Sequence, residues 1–231
     1  MTNATIALAS GSWPHANGAP ANWAAAAWHA GCDRFGTSVL PRLAAATGVV
    51  TTLCSSQPVL TFDDGPHPTS TPKLLDVLAR HDATATFFVV GERAAAAPAR
   101  LRQIVDAGHV IGNHSWSHRP PWRLTPREQF REYVRTQRLI EDATGKRCDR
   151  VRPPFGMLSR PLAQFATSRE AAVWMWRRMP PDYRRGSLRA AITADLNRSR
   201  PGEIVCLHDN AIACARTADL VDEWLTARRS E

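Results

Sequence analysis

The chain has 231 residues and a formal charge of +8 at pH 7, carried almost wholly by arginine, since Lys73 and Lys146 are its only lysines. That length suits one domain with a full core, or one domain with a short extension. No stretch of about 18 or more apolar residues occurs, so no transmembrane helix is expected, and no nucleic-acid-binding module or regular aromatic interleaving of basic residues is present.

Residues 1–57 read as an N-terminal extension of unknown role. Within it Ser12 to Asn22 is loop-like, Ala21 to His29 and Val39 to Ala46 suit short helices, and Val49 to Leu53 suits a strand. From residue 58 to the end, strands and helices alternate. Val59, Leu60 and Phe62 make a buried strand that Gly65-Pro66 stops sharply. Leu74, Leu75 and Leu78 place a helix over Thr71 to His81, followed by a strand over Thr84 to Val90 and one helix over Ala94 to Ala107. Val110-Ile111 is a short strand. Thr125-Pro126-Arg127-Glu128 is a helix start, with a capping threonine, proline at the first position and glutamate three residues on. That helix is expected to run to about Ala143 and stop at Gly145. Strand signals recur near Val151, Val173 to Trp176, and Ile204 to Leu207, with helices near Ser159 to Thr167, Leu188 to Arg198 and Ala215 to Ala227. The alternation predicts an α/β domain with a mainly parallel, helix-covered sheet.

Two features carry chemistry. Asp63 and Asp64 sit side by side at a strand end, where they repel each other and lose hydration if buried; a bound cation is the usual compensation. His114 and His118 stand four residues apart, and on a helical turn such positions share one face. One carboxylate oxygen and two imidazole nitrogens make a three-ligand site with room for water, which favours Zn²⁺, with Co²⁺ or Ni²⁺ able to substitute. The bland alternative is two surface histidines on a turn.

Thr61-Phe62-Asp63-Asp64-Gly65-Pro66, His114-Ser115-Trp116-Ser117-His118, Arg152-Pro153-Pro154-Phe155-Gly156, Trp176 with Asp182-Tyr183, and Leu207-His208-Asp209 follow one another over residues 58 to 228. Together they resemble the polysaccharide deacetylase family, the NodB-homology domain of carbohydrate esterase family 4. The resemblance implies a distorted, shortened (β/α) barrel with chemistry at the C-terminal ends of the strands. It implies Asp64, His114 and His118 as metal ligands, Asp63 as general base and His208 as general acid. Arg152 is expected beside Asp63, the backbone N–H at Phe155 beside the oxyanion, and Leu207 in the wall of the acyl pocket. Trp176, Asp182 and Tyr183 are expected along the substrate cleft.

One motif departs from the family. Many relatives read Trp-x-x-Asp-x-x-Asp-Trp, where this chain has Trp176 through Tyr183 with Met179 at the first aspartate and Tyr183 at the second tryptophan. That first aspartate is thought to support the acid histidine in relatives. Methionine cannot charge-match an imidazolium, so His208 is expected to have a lower pKa than in relatives unless Asp182 or Asp209 compensates.

The implied function is removal of an N-acyl group, above all N-acetyl, from an amino sugar, either an oligosaccharide or a small biosynthetic intermediate. Hydrolysis of a non-sugar amide or imide, or sugar binding without turnover, are the alternatives. The basic charge reads either as a solvated surface or as attraction of an anionic substrate, with Arg177-Arg178 and Arg184-Arg185 flanking the altered motif. Five cysteines with no CxxC spacing cannot all pair, and no basic segment precedes Thr5 to Ala9, so a cytoplasmic protein with reduced thiols is expected. Oligomeric state is not legible in the sequence.

Overall fold

The computed structural model describes residues 49–213 and 216–229. The helices read at Ala21 to His29 and Val39 to Ala46, and the loop at Ser12 to Asn22, lie outside the described residues. Among the described residues, no helix is long and apolar enough to cross a membrane.

The core is a six-stranded parallel sheet curled into a shortened barrel, with strand order β5-β4-β3-β2-β1-β6. Its strands are β1 (Val59–Gly65), β2 (Ala85–Val89), β3 (Val110–Asn113), β4 (Arg150–Val151), β5 (Ala172–Val173) and β6 (Ile204–His208). Helices α1 (Ser70–Arg80), α2 (Gly91–Ala96), α3 (Pro98–Asp106), α4 (Pro126–Thr144), α5 (Arg160–Arg169), α6 (Arg189–Asn197) and α7 (Thr217–Arg229) occupy the connections. β1 lies between β2 and β6, so its period-2 alternation sorts side chains to two buried faces. Leu60 and Phe62 join the apolar layer under α1, α6 and α7, with Leu74, Leu78, Ile192 and Val221. Thr61 and Asp63 turn the other way, to the barrel interior, where Arg152 bonds both.

Two short segments seal the seam between β5 and β6. Val50 pairs with Trp174 and Thr52 with Glu203, while Arg178 pairs with Val205. Val50 donates to Val173 and accepts from Met175, and Ile204 donates to Thr51. The strand expected over Val49 to Leu53 is therefore present as isolated bridges, which satisfy edge groups that a curled sheet would otherwise expose.

Helix boundaries follow local chemistry. The single helix expected over Ala94 to Ala107 is two helices, because Pro98 lacks an N–H and pushes Ala97 to φ −144°, ψ 60°. Helix α4 starts and stops where the sequence says. Thr125 Oγ1 accepts from Glu128 N, the Glu128 carboxylate accepts from Thr125 N at 2.7 Å, and Gly145 ends the helix at φ 65°. The Thr125→Ala variant is expected to lose about 1 kcal/mol of stability, measured as a lower urea midpoint with an unchanged m-value; an unchanged midpoint would show the cap to be inert.

Candidate active site

The site begins with a bulge. Asp63 is in register with Phe88 on one side and His208 on the other, but the β1–β2 register shifts between Asp63 and Gly65. Asp64 there has φ 73°. Adjacent strand residues normally face opposite ways; the left-handed residue in the bulge turns both carboxylates into one cleft. Gly65 is required next, since a Cβ would lie 2.4 Å from Asp209 Oδ2. Ser115, His118 and Phe155 also have positive φ. Each such non-glycine residue costs about 1–3 kcal/mol, and their clustering around one cleft is typical of functional sites.

Asp64, His114 and His118 each offer a ligand atom within 4.8 Å of the others. His118 Nε2 is 3.0 Å and His114 Nε2 3.7 Å from Asp64 Oδ1. Apart from these two rings, that buried oxygen has no polar partner, whereas Oδ2 accepts from Asn210 Nδ2 at 2.8 Å. His114 Nδ1 lies 2.8 Å from the Arg152 carbonyl; donating there leaves Nε2 as the free lone pair. Burial pushes the His114 pKa down to about 4, so the ring is a neutral ligand. Burial alone would raise Asp64, but His118, His208 and His114 outweigh it and hold its carboxyl well below the usual range. Buried oxygen, neutral imidazole and free nitrogens together suit a divalent cation.

The helical rationale for the two histidines is corrected. Residues 114–118 form an irregular turn, with φ 62° at Ser115 and 54° at His118. Glu132 of α4 shapes it by accepting from Trp116 N and Ser117 N at 3.1 and 2.7 Å, and Asn113 Oδ1 accepts from Ser115 N.

Asp63 is held from two sides. Arg152, fully buried, donates to Oδ1 at 2.6 Å and to Thr61 Oγ1 at 2.8 Å. The guanidinium also reaches the Trp174 and Met175 carbonyls and lies 4.1 Å from the centre of the Phe88 ring. Cys206 Sγ is 3.3 Å from Asp63 Oδ2; burial first, and Asp63 second, push this thiol well above its ordinary pKa.

At His208 the compensating acid left open by the sequence is Asp182. His208 Nδ1 lies 2.8 Å from Asp182 Oδ1, and its backbone N–H donates to Asp182 Oδ2 at 2.8 Å. Burial would lower the imidazole's pKa, but the Asp182 charge and hydrogen bond prevail and raise it to about 9. Met179 therefore does not leave the ring without a carboxylate. The 3₁₀ turn Pro181–Tyr183 brings Asp182 under the ring, where Thr217 Oγ1 also donates to it. Asp182 is wholly buried and is thus not a cleft-lining residue. Leu207 is corrected likewise: it packs in the apolar layer with Val205 and Val221, and Cys206 lines the cleft in its place. Asp209 faces away, accepting from Thr71. Trp176, Met179, Tyr183 and Phe155 do line the cleft, whose volume is about 270 Å³. A larger hollow of about 490 Å³, around Leu60 and Trp224, contains none of these groups.

Residues 53–173 match the family model described as polysaccharide deacetylase. The chain belongs to the polysaccharide deacetylase family. It is 34% identical over 167 residues to a peptidoglycan-N-acetylmuramic acid deacetylase of Bacillus subtilis, covering 72% of this chain and 35% of that one. With a chitooligosaccharide deacetylase of Sinorhizobium fredii it shares 37% identity, over 65% of this chain and 70% of the relative. The crystal structure of the Bc1960 peptidoglycan N-acetylglucosamine deacetylase superposes with a TM-score of 0.72 at 28% identity, covering 79% of this chain and 86% of that one. The chain thus spans about a third of one curated relative and over two thirds of another.

Asn210, Cys206 and Glu132 are the site residues missed in sequence; only the position of the first two beside His208 could have flagged them. In metal-free protein the His208–Asp182 pair ties stability to pH. The folded pKa lies above the ordinary value of about 6.5, so the contribution is complete below 6.5 and lost as pH rises through about 9. Asp182→Asn is expected to flatten that decline in urea midpoint between pH 6.5 and 9; an unchanged slope would assign the titration elsewhere.

Proposed function

We propose that the chain is a metal-dependent N-deacetylase of amino-sugar oligosaccharides, with Zn²⁺ as its ion held by Asp64, His114 and His118. One observation carries the reading. Asp63 Oδ2 lies 3.8 Å from His114 Nε2 while Arg152 clamps Oδ1, so a fixed proton acceptor borders the ligand triad. His208, backed by Asp182, opens on the same cleft. The names of the relatives, which act on peptidoglycan amino sugars and chitooligosaccharides, support the substrate class.

Bound to the triad, the cation supplies a Lewis acid and makes water nucleophilic near neutral pH. The rest falls to the protein. Asp63 accepts the proton of the attacking water and cannot swing away, because Arg152 and Cys206 engage both of its oxygens. His208 holds its proton until the amine departs, then delivers it from Nε2, since Asp182 occupies Nδ1. Trp176 and Met179 give an apolar wall suited to a small acyl group. Phe155 packs 4.7 Å from His118 and 6.3 Å from Trp122, which is 47% exposed, and these rings offer faces to a sugar. Binding without turnover would need no buried carboxylate behind His208.

Chelator-stripped protein should release amine from N-acetylglucosamine oligomers only after Zn²⁺ is restored. No release with one equivalent of metal bound would remove the oligomers as substrates. Asp63→Asn should keep the metal and lower kcat by about 10²- to 10⁴-fold, and a near-normal kcat would dismiss Asp63 as base. His118→Ala should lose metal and activity together; full metal occupancy would refute its place in the triad.

A further inference from the structure

A second set of ligand atoms occupies the cleft beside the first. Asp63, Cys206 and His208 each present one within 4.8 Å of the others. Cys206 and His208 are two residues apart on β6, so both point to the barrel interior. The β1–β6 register sets Asp63 directly opposite His208. Three donor types thus stand on two paired strands rather than on loops. Asp63 Oδ2 and Cys206 Sγ are 3.3 Å apart, close to the separation of about 3.5 Å that tetrahedral oxygen and sulfur ligands of one Zn²⁺ adopt. The remaining atoms of each group are already committed. Arg152 holds Asp63 Oδ1 and Asp182 holds His208 Nδ1, which leaves Asp63 Oδ2 and His208 Nε2 to face the cleft. A carboxylate behind a ligating imidazole is the usual support for a metal-bound histidine.

We propose that Asp63, Cys206 and His208 form a second, inhibitory site for a thiophilic divalent cation, filled by excess Zn²⁺ or by Cd²⁺. The triad Asp64, His114 and His118 offers only nitrogen and oxygen, whereas this one adds sulfur, so softer ions favour it. Asp63 Oδ2 is also 3.8 Å from His114 Nε2, which makes the two sites neighbours. Paired metal sites with ions about 3.5–4 Å apart are well precedented, but like charges repel, so the second ion binds more weakly than the first. Loading displaces the thiol proton of Cys206 and the imidazolium proton of His208 to solvent, and no electron is transferred. Asp63 Oδ2 can then no longer accept a proton, nor His208 Nε2 donate one. The inhibitory consequence rests on the roles proposed above; the site itself does not.

The test uses the full chain, stripped of metal, in a background with Cys32, Cys54 and Cys214 changed to serine. Co²⁺ is added stepwise while bound metal is counted and the thiolate-to-cobalt charge-transfer absorption is followed. Two equivalents should bind, with the sulfur band growing only with the second, and Cys206→Ala should bind one equivalent without the band. A single equivalent, or a band that survives Cys206→Ala, overturns the proposal. Inhibition of the Zn²⁺ form by Cd²⁺ should weaken by about 10- to 100-fold or more in Cys206→Ala, relative to that variant's own rate; unchanged inhibition also overturns it. Two equivalents with the sulfur band, in a protein that releases no amine, would keep the site and sink the deacetylase reading instead.

Discussion

The buried pair of Asp63 and Arg152 organises the site. A carboxylate in the middle of a parallel sheet is tenable only with a partner of full charge beside it. Arg152 supplies that from the end of β4, bonding Thr61 and Asp63 of β1 and the carbonyls of Trp174 and Met175 beyond β5. Its own carbonyl accepts from His114. One residue therefore fixes the proposed base through its side chain and a proposed metal ligand through its backbone. Removing the guanidinium would leave Asp63 uncompensated, a loss of about 3–5 kcal/mol for buried pairs of this kind.

Around that pair, environment divides identical side chains into different tasks. His114 is pushed to about 4 by burial and stays neutral. His208, whose side chain is 12% exposed, is raised to about 9 because Asp182 accepts from its ring. A neutral imidazole suits a ligand and a charged one suits a proton donor. A cation held by the neighbouring triad would oppose the charge on His208 and lower its pKa towards neutrality, where proton transfer is most effective.

Much of this was legible in the chain itself. The alternation of apolar runs, the capping box at Thr125 and the stop at Gly145 depend on local contacts, and the structure keeps them. The ordered motifs brought Asp63, Asp64, His114, His118, Arg152 and His208 to one end of the barrel. What was not legible depended on backbone direction. Leu207 and Cys206 differ by one residue, which in a strand exchanges the helix-facing layer for the cleft. Spacing also cannot tell which acid near Met179 reaches His208; the turn at Pro181 makes it Asp182. The turn carrying His114 and His118 draws its shape from Glu132, a helix residue that no motif singles out.

The seam of the barrel extends the same logic to residues outside the motifs. Val50 accepts from Met175, the Met175 carbonyl accepts from Arg152, and Arg152 donates to Asp63. Three hydrogen bonds thus link the segment before β1 to the carboxylate in the cleft. Across the same seam Cys206 donates its N–H to Arg178, which ties the thiol's strand to the stretch carrying Trp176 and Met179. A curled sheet of six strands leaves its edges short of partners. Here the bonds that satisfy those edges also hold the carbonyls against which Arg152 is braced, so closing the barrel and positioning the carboxylate are one structural problem with one solution.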